Sequence, residues 1–475
     1  MAEQTASFKP TLGLLDATMI VAGSMIGSGI FIVSTDMTQQ LGAAGWLILA
    51  WLLTGFLTLT AALSYGELSA MFPKAGGQYV YLREAFNPLV GFLYGWSFFA
   101  VIQTGTIAAV GVAFSKFAAY LFPALSPQHL LFSLGFIHVS AAQLVSIAMV
   151  VLLTFINTRG VRGGKIIQTI FTLTKLLSLF GLIIFGFFLA ARQGIWHTNW
   201  THAWQARHYT GASDGTGSWQ PVSGIAIIPL FAAALVGSVF SSDAWNNVTF
   251  IAGEIKRPEK NIGLSLFLGT MIVTLIYVSA NLMYVSVLDL REIAFAKDGR
   301  VALAASMKIF GNAGTIVIAV MIMISTFGCN NGLILSGARV YYTMAKDGLF
   351  FKRTGVLNKK QVPGFALWIQ CIWTSLLCLS GTYNELLNYV VFVVLIFYIL
   401  TLIGIYILRR KRPDIPRPYK AFGYPVLPFV YCVLALAICV ALFRYQYRQT
   451  WPGLIIILIG IPLYYLAVAN KKKTV

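Results

Sequence analysis

The residues best suited to hold a ligand in this sequence fall in two short stretches. V-A-G-S-M-I-G-S-G-I-F covers residues 21–31, and V-G-S-V-F-S-S-D-A-W-N-N covers residues 236–247. Each puts backbone-permissive or polar residues inside an otherwise apolar run. Unwinding a helix frees N–H groups at the start of one half and C=O groups at the end of the other. Nonhelical backbone at membrane depth survives only where it lines a cavity or meets a ligand. A zwitterion satisfies both kinds of group. Its carboxylate suits the N–H groups of Gly27, Ser28 and Gly29, at the positive end of the half-helix that follows. Its ammonium suits carbonyls near Ile26 in the first stretch and near Phe240 and Ser241 in the second. The alternative is that these small residues only allow close helix packing.

Two charged residues stand inside apolar runs. Lys175 lies ten residues beyond Lys165 in I-I-Q-T-I-F-T-L-T-K-L-L-S-L-F, about 15 Å deeper at 1.5 Å per residue. A lysine there costs roughly 2.5 to 3.5 kcal/mol on insertion scales, so it is expected to face a polar cavity and have a partner. Snorkelling to the nearer edge is the alternative, over a depth that is long for a lysine stem. Asp243 falls inside the second stretch, where its carboxylate could receive a substrate ammonium, a cationic side chain or a proton. Equally, it could cap a half-helix that starts just after it. Glu67 and Asp16, near span ends, are expected to make structural pairs with basic loop residues.

The elements that must position these residues follow from composition. Of 475 residues 58% are hydrophobic and 10% charged, against about 25% charged in a soluble domain. That excludes an ordinary cytosolic enzyme, a disordered chain and a nucleic-acid-binding module. An all-α polytopic membrane protein is expected, with no cofactor. Twelve spans are read near 16–37, 43–68, 89–120, 139–157, 165–190, 223–250, 262–287, 313–342, 363–381, 385–408, 424–443 and 452–469. Of 34 Lys and Arg, 24 fall at the termini and in the connections after even-numbered spans, and 8 on the opposite side. Lys116 and Lys175 lie within spans. The positive-inside rule then puts both termini in the cytoplasm, and the net charge of +19 is mostly topology. The polar N-terminus lacks the apolar core of a signal peptide, so the first span is expected to direct insertion.

The five Cys, at 329, 371, 378, 432 and 439, sit in apolar runs, and no disulfide framework is expected. His197, His202 and His208, in a long outer connection at 191–222, have no spacing that suits a metal site. Residues 288–312 read as a short helix on the membrane surface. With an offset of 214, Gly23 meets Gly237, Ser24 meets Ser238 and Ser28 meets Ser242. The match falls on spans 1 and 6, where a five-plus-five inverted repeat would place corresponding helices, and such repeats mark transporters. The expected plan is one domain over 1–475, with repeats at about 11–190 and 222–408 and additional helices at about 424–469.

Several motifs together resemble a known family. G-S-M-I-G-S-G-I-F, E-L-S-A-M-F-P-K-A-G-G-Q-Y-V-Y-L at 67–82, S-D-A-W-N-N-V-T-F-I-A-G-E-I-K-R-P-E-K-N-I after residue 240, and S-T-F-G-C-N-N-G at 325–332 are similar to the L-amino-acid transporter family. That family belongs to the amino acid, polyamine and organocation superfamily. R-K-R-P-D-I-P-R-P-Y-K at 410–420 and G-I-P-L-Y-Y at 460–465 carry the likeness nearly to the C-terminus. The resemblance implies twelve helices in the LeuT-like fold with helices 1 and 6 broken. It also implies sodium-independent amino acid transport, commonly by obligatory exchange; proton-coupled amino acid or polyamine symport is the alternative.

Residue by residue, the resemblance implies that Gly27, Ser28 and Gly29 bind the substrate carboxylate and that Ile26, Phe240 and Ser241 face its amine. Phe240 would also gate the site, and Trp245 and Asn246 would shape it or support the break. Lys175 matches a lysine that stands near the sodium position of sodium-coupled cousins. Two departures matter. Asp243 and Ala244 replace paired glycines found in relatives that carry large neutral amino acids, which points to small neutral or cationic cargo. Residues 121–138 contain no Cys, so no disulfide-linked heavy subunit is expected, and the chain resembles prokaryotic members that work alone.

Overall fold

A computed structural model describes residues 10–134, 137–211, 215–380 and 383–472. The N-terminal residues through Lys9 and Lys473 at the other end lie outside the described residues. The chain folds into helices α1 (Leu14–Met25), α2 (Ser34–Leu41), α3 (Ala44–Met71), α4 (Gln78–Ala85), α5 (Pro88–Ser97), α6 (Gln103–Leu121), α7 (Ala141–Thr158), α8 (Val161–Phe185) and α9 (Gln193–Thr201). There follow α10 (Ile227–Ser241), α11 (Asn247–Phe250), α12 (Pro258–Val287), α13 (Leu290–Ala294), α14 (Val301–Lys346), α15 (Gly364–Ser380), α16 (Tyr383–Lys411), α17 (Val426–Tyr445) and α18 (Tyr447–Lys472). A π-helical turn, Phe98–Ile102, joins α5 to α6, and another, Gly186–Ala190, extends α8.

Among the described residues ten helical stretches are long and apolar enough to cross a membrane, and Leu14–Met25 and Gly364–Ser380 are shorter apolar helices. Leu177, Phe188, Leu275, Ile372, Val440 and Leu466 are each exposed by 60% or more. Water would not tolerate so much exposed apolar surface. A bilayer does, and the chain is an integral membrane protein.

Two small departures from an all-α chain occur in the connections. β1 (Leu130–Leu134) pairs antiparallel with β2 (Ile137–Ser140), and β3 (Arg207–Thr210) with β4 (Ser218–Pro221). These segments lie outside the apolar runs, where extended backbone can find cross-strand partners and the remaining groups meet water. Tyr209 of β3 packs its ring 4.6 Å from Phe295 and 5.5 Å from Trp219. The described residues of the 191–222 connection are therefore packed against the protein. Asn199 of α9 adds to this by donating Nδ2 to the carbonyls of Val285 and Leu288, at 2.8 and 2.9 Å. Those oxygens at the end of α12 would otherwise lack partners.

The 288–312 segment is helical in part, and here the expectation of a surface helix needs correcting. Val301, Ala302 and Ala305 at the start of α14 are fully buried in the protein core. Their apolar face is covered by the protein itself. The segment turns into the long part of α14 at Gly311, whose φ of +67° is open to glycine at little cost.

The two ends of the bundle differ. At the end richer in Lys and Arg, Glu67 of α3 is fully buried and accepts Arg409 Nε and Nη2 at 2.9 and 2.7 Å, and the Ala421 N–H at 2.7 Å. Glu254 accepts Arg339 Nε at 3.1 Å, and Asp347 accepts Arg83 and the Tyr79 hydroxyl. The segment before α1 is laced to the same region: Thr11 and Leu12 donate to the Glu254 carbonyl and Lys256 donates to the Leu12 carbonyl. Glu67 thus pairs with basic residues as expected, while Asp16 accepts the Gly13 N–H at the start of its own helix. At the opposite end a cavity of about 950 Å³ opens between α2, the end of α6 and residues 294–300.

Candidate functional site

Helix α1 stops at Met25. Ile26 takes φ −74°, ψ +87°, and the chain makes a short 3-10 turn over Gly29–Phe31 before α2 begins at Ser34. Helix α10 likewise stops at Ser241, and α11 begins at Asn247. The two interruptions touch. A Cβ on Gly29 would lie 1.9 Å from Ser241 Oγ and 2.9 Å from Ser241 Cα. Only hydrogen at this position allows the segments to approach so closely.

The carbonyls freed at the end of α1 are met by side chains from other helices. Lys175 of α8 is fully buried, and its ammonium donates to Gly23 O and Ile26 O, both at 2.7 Å. Cys329 Sγ donates to Ser24 O at 3.1 Å, and Tyr277 OH bridges Met25 O at 2.9 Å and Ser241 O at 3.1 Å. Lys175 therefore reaches inward and does not snorkel. Its charge sits at the negative end of α1, where a cation is favoured.

Of the N–H groups read as a carboxylate cradle, that of Gly27 turns back onto Met25 O at 2.8 Å. Among the described residues the N–H groups of Ser28 and Gly29 donate to no other group. The Ser28 hydroxyl lies 3.1 Å from Tyr383 OH. Of the carbonyls read as amine acceptors, Ile26 O holds Lys175, Ser241 O holds Tyr277 and Phe240 O accepts the Asp243 N–H at 3.2 Å. Ile26 O also takes Ser325 Oγ at 3.5 Å and Phe240 O the Ser242 N–H, so among the described residues Ser241 O is the one of the three with a second lone pair in hand.

Phe240 is buried, with its ring edge-on to Tyr383 at 6.1 Å. Trp245 packs against Tyr65 at 4.8 Å and Tyr398 at 5.3 Å. Asn246 donates Nδ2 to Gln78 Oε1 at 3.1 Å, which ties α11 to α4. The Asp243 carboxylate accepts the Tyr398 hydroxyl at 2.5 Å, while α11 has Asn246 as its N-cap and no side-chain cap bond. Asp243, Gln78, Gln103, Thr106 and Asn247 converge on a void of about 10 Å³, room for a single water. Asn247 Nδ2 is buried there without a hydrogen-bond partner among the described residues.

The sequence reading missed Tyr277, Cys329, Tyr383 and Tyr398. Tyr277 was accessible: with Asn281 and Tyr284 it forms an i, i+4, i+7 polar stripe on α12. All three are used, since Asn281 accepts Ser34 Oγ at 2.6 Å and Tyr284 OH donates to Ile30 O at 3.2 Å. Tyr383 carried no such signal, because its role depends on a contact 355 residues away.

The sequence has counterparts among known proteins. A family model described as amino acid permease matches residues 12–464. The chain belongs to the amino acid permease family. The permease is 30% identical over 469 residues to the human large neutral amino acids transporter small subunit 2, covering 98% of this chain and 82% of the relative. It is 30% identical over 474 residues to the mouse Asc-type amino acid transporter 1, covering 99% and 84%. To the serine/threonine exchanger SteT of Bacillus subtilis (strain 168) it is 28% identical over 468 residues, 98% of each chain. These agree with the resemblance drawn from the motifs. Members of the family are transporters, not enzymes.

Proposed function

We propose that the chain is a sodium-independent amino acid exchanger working by alternating access. The observation that carries this reading is Lys175 on the carbonyls of Gly23 and Ile26. A fixed ammonium occupies the negative end of α1, so no dissolved metal cation is needed there, and the Ser28 and Gly29 N–H groups remain for a substrate carboxylate. Relatives described as amino acid transporters and as a serine/threonine exchanger support the cargo and the exchange mode.

In this reading the chain has twelve spans, with α1/α2 and α10/α11 as broken first and sixth helices of repeats at about 11–190 and 222–408. Helices at about 424–469 are additional. The Lys and Arg distribution supports cytoplasmic termini, and the likeness to the Bacillus subtilis exchanger supports a prokaryotic cytoplasmic membrane. Two relatives are small subunits or transporters of animals, but the five cysteines here all lie in helices, which supports action without a disulfide-linked partner. The polar void beside Asp243 supports small amino acids with a hydroxyl or amide side chain as cargo.

Counterflow in proteoliposomes tests the reading. Labelled L-serine uptake should require an internal amino acid and ignore a pH gradient. Gradient-driven uptake into empty vesicles would instead establish proton-coupled symport. In a competition panel Asp243→Gly should admit bulkier neutral side chains; an unchanged profile would remove Asp243 from the specificity site.

A further inference from the structure

We propose that the 950 Å³ vestibule contains a second amino acid subsite, between Asp36 of α2 and Lys116 of α6, which holds the incoming zwitterion before it reaches the central interruptions. The proposal rests on the amino acid cargo proposed above. Five charged groups line the vestibule: Asp36, Lys116, Lys297, Asp298 and Arg300. Arg300 is committed. It donates to Asp298 Oδ2 at 2.5 Å and to the Lys116 carbonyl at 2.9 Å, and it lies 5.3 Å over the Tyr120 ring. Lys116 and Asp36 are not paired with each other, although the Asn384 side chain stands beside the Asp36 carboxylate. Among the described residues neither makes an ion pair within 4.0 Å, although each is the other's nearest opposite charge by effect.

A cation and a carboxylate thus line one cavity without forming an ion pair within 4.0 Å of each other. An amino acid carries the complementary charges one carbon apart, so its carboxylate can meet Lys116 while its ammonium meets Asp36. Its side chain has a place as well. A neighbouring cavity of about 390 Å³, walled partly by Val112, Leu130 and Ala142, shares Lys116, Pro127 and Asn384 with the vestibule. The Tyr383 ring lies 5.3 Å under the Lys116 ammonium, while its hydroxyl meets Ser28. One side chain therefore separates the subsite from the central site.

Equilibrium binding of labelled L-serine to the full chain in nanodiscs tests this. Wild type should show two saturable phases approaching about two molecules per chain. Lys116→Met and Asp36→Asn should keep the tighter phase and weaken the other at least ~10-fold; Lys116→Arg should retain both. The retained tight phase is itself the folding control. 3-Hydroxypropionate and ethanolamine, each lacking one charge, should fail to displace the weaker phase. A single phase in wild type, or a second phase that survives both neutralising variants, overturns the subsite but leaves the central reading intact. Displacement by 3-hydroxypropionate overturns it in favour of a simple anion site. No saturable phase in wild type refutes the central reading, and the subsite with it.

Discussion

Replacing Lys175 with methionine keeps most of the side-chain volume and removes one charge and two hydrogen bonds. Both bonds are 2.7 Å long and charge-assisted, and the residue is fully buried. Such bonds contribute about 1.5–3 kcal/mol each, or roughly 3–6 kcal/mol together. Placing the lysine at this depth costs about 2.5–3.5 kcal/mol. The difference, centred on about 1.5 kcal/mol, favours the arrangement in which α1 and α8 are joined. In Lys175→Met, Gly23 O loses its partner and Ile26 O keeps only Ser325 Oγ at 3.5 Å. The populations of the transport cycle should shift by about 10-fold. Counterflow of labelled L-serine in proteoliposomes should slow by at least ~10-fold, with membrane insertion and elution profile unchanged. Lys175→Arg should recover little, since a planar fork does not fit two carbonyls shaped around an ammonium. Wild-type exchange within a factor of about two in the methionine variant would refute the argument that this cation organises the end of α1.

Gly29→Ala should force α2 and α10 apart, because the new Cβ overlaps Ser241; overpacking of about 1–3 kcal/mol should weaken L-serine binding several-fold or more, and Ser241→Gly in the same chain should restore part of it. Ala244 sits at φ +66°, a left-handed conformation that costs an L-residue roughly 1–2 kcal/mol. Ala244→Gly should therefore raise the thermal unfolding midpoint, and an unchanged or lower midpoint would contradict the strain. Glu67→Gln should lower that midpoint and increase reactivity of engineered cysteines at the basic end, since Arg409 and Arg417 lose the carboxylate they share; no change in either would show the ion pairs to be incidental to closure.

The apolar runs fixed most span positions to within a few residues because bilayer thickness leaves little freedom in helix length. The glycine-serine stretches were legible for a related reason: few residues tolerate an interruption at that depth. Lys175 was conspicuous as a charge among apolar neighbours, and the depth argument correctly sent it inward. What could not be read was partnership. Cys329 and Tyr383 reach the interruptions from helices hundreds of residues away, and a buried tyrosine with no polar stripe beside it looks the same whether its hydroxyl meets a partner or hangs free. The buried face of residues 301–305 was missed because amphipathic periodicity reports a covered side without saying whether lipid or protein covers it.

The contrast between the two ends bears on how exchange would arise. The basic end is closed by charged pairs, several of them buried, whose separation leaves carboxylates and guanidinium groups without partners. The other end is divided from the central interruptions by Phe240, Tyr383 and the Ser28 hydroxyl, contacts that a passing substrate can replace with its own. Breaking the first set requires a compensating gain elsewhere; breaking the second does not. In the proposed reading a substrate seated on the Ser28 and Gly29 N–H groups would add its own bonds beside the existing contact of Gly29 with Ser241, and that gain would be available to offset opening of the basic end. An empty site offers no such gain. The return step would then also require cargo, and on the proposed reading one-for-one exchange would follow from the difference in chemistry between the two ends without any ion gradient.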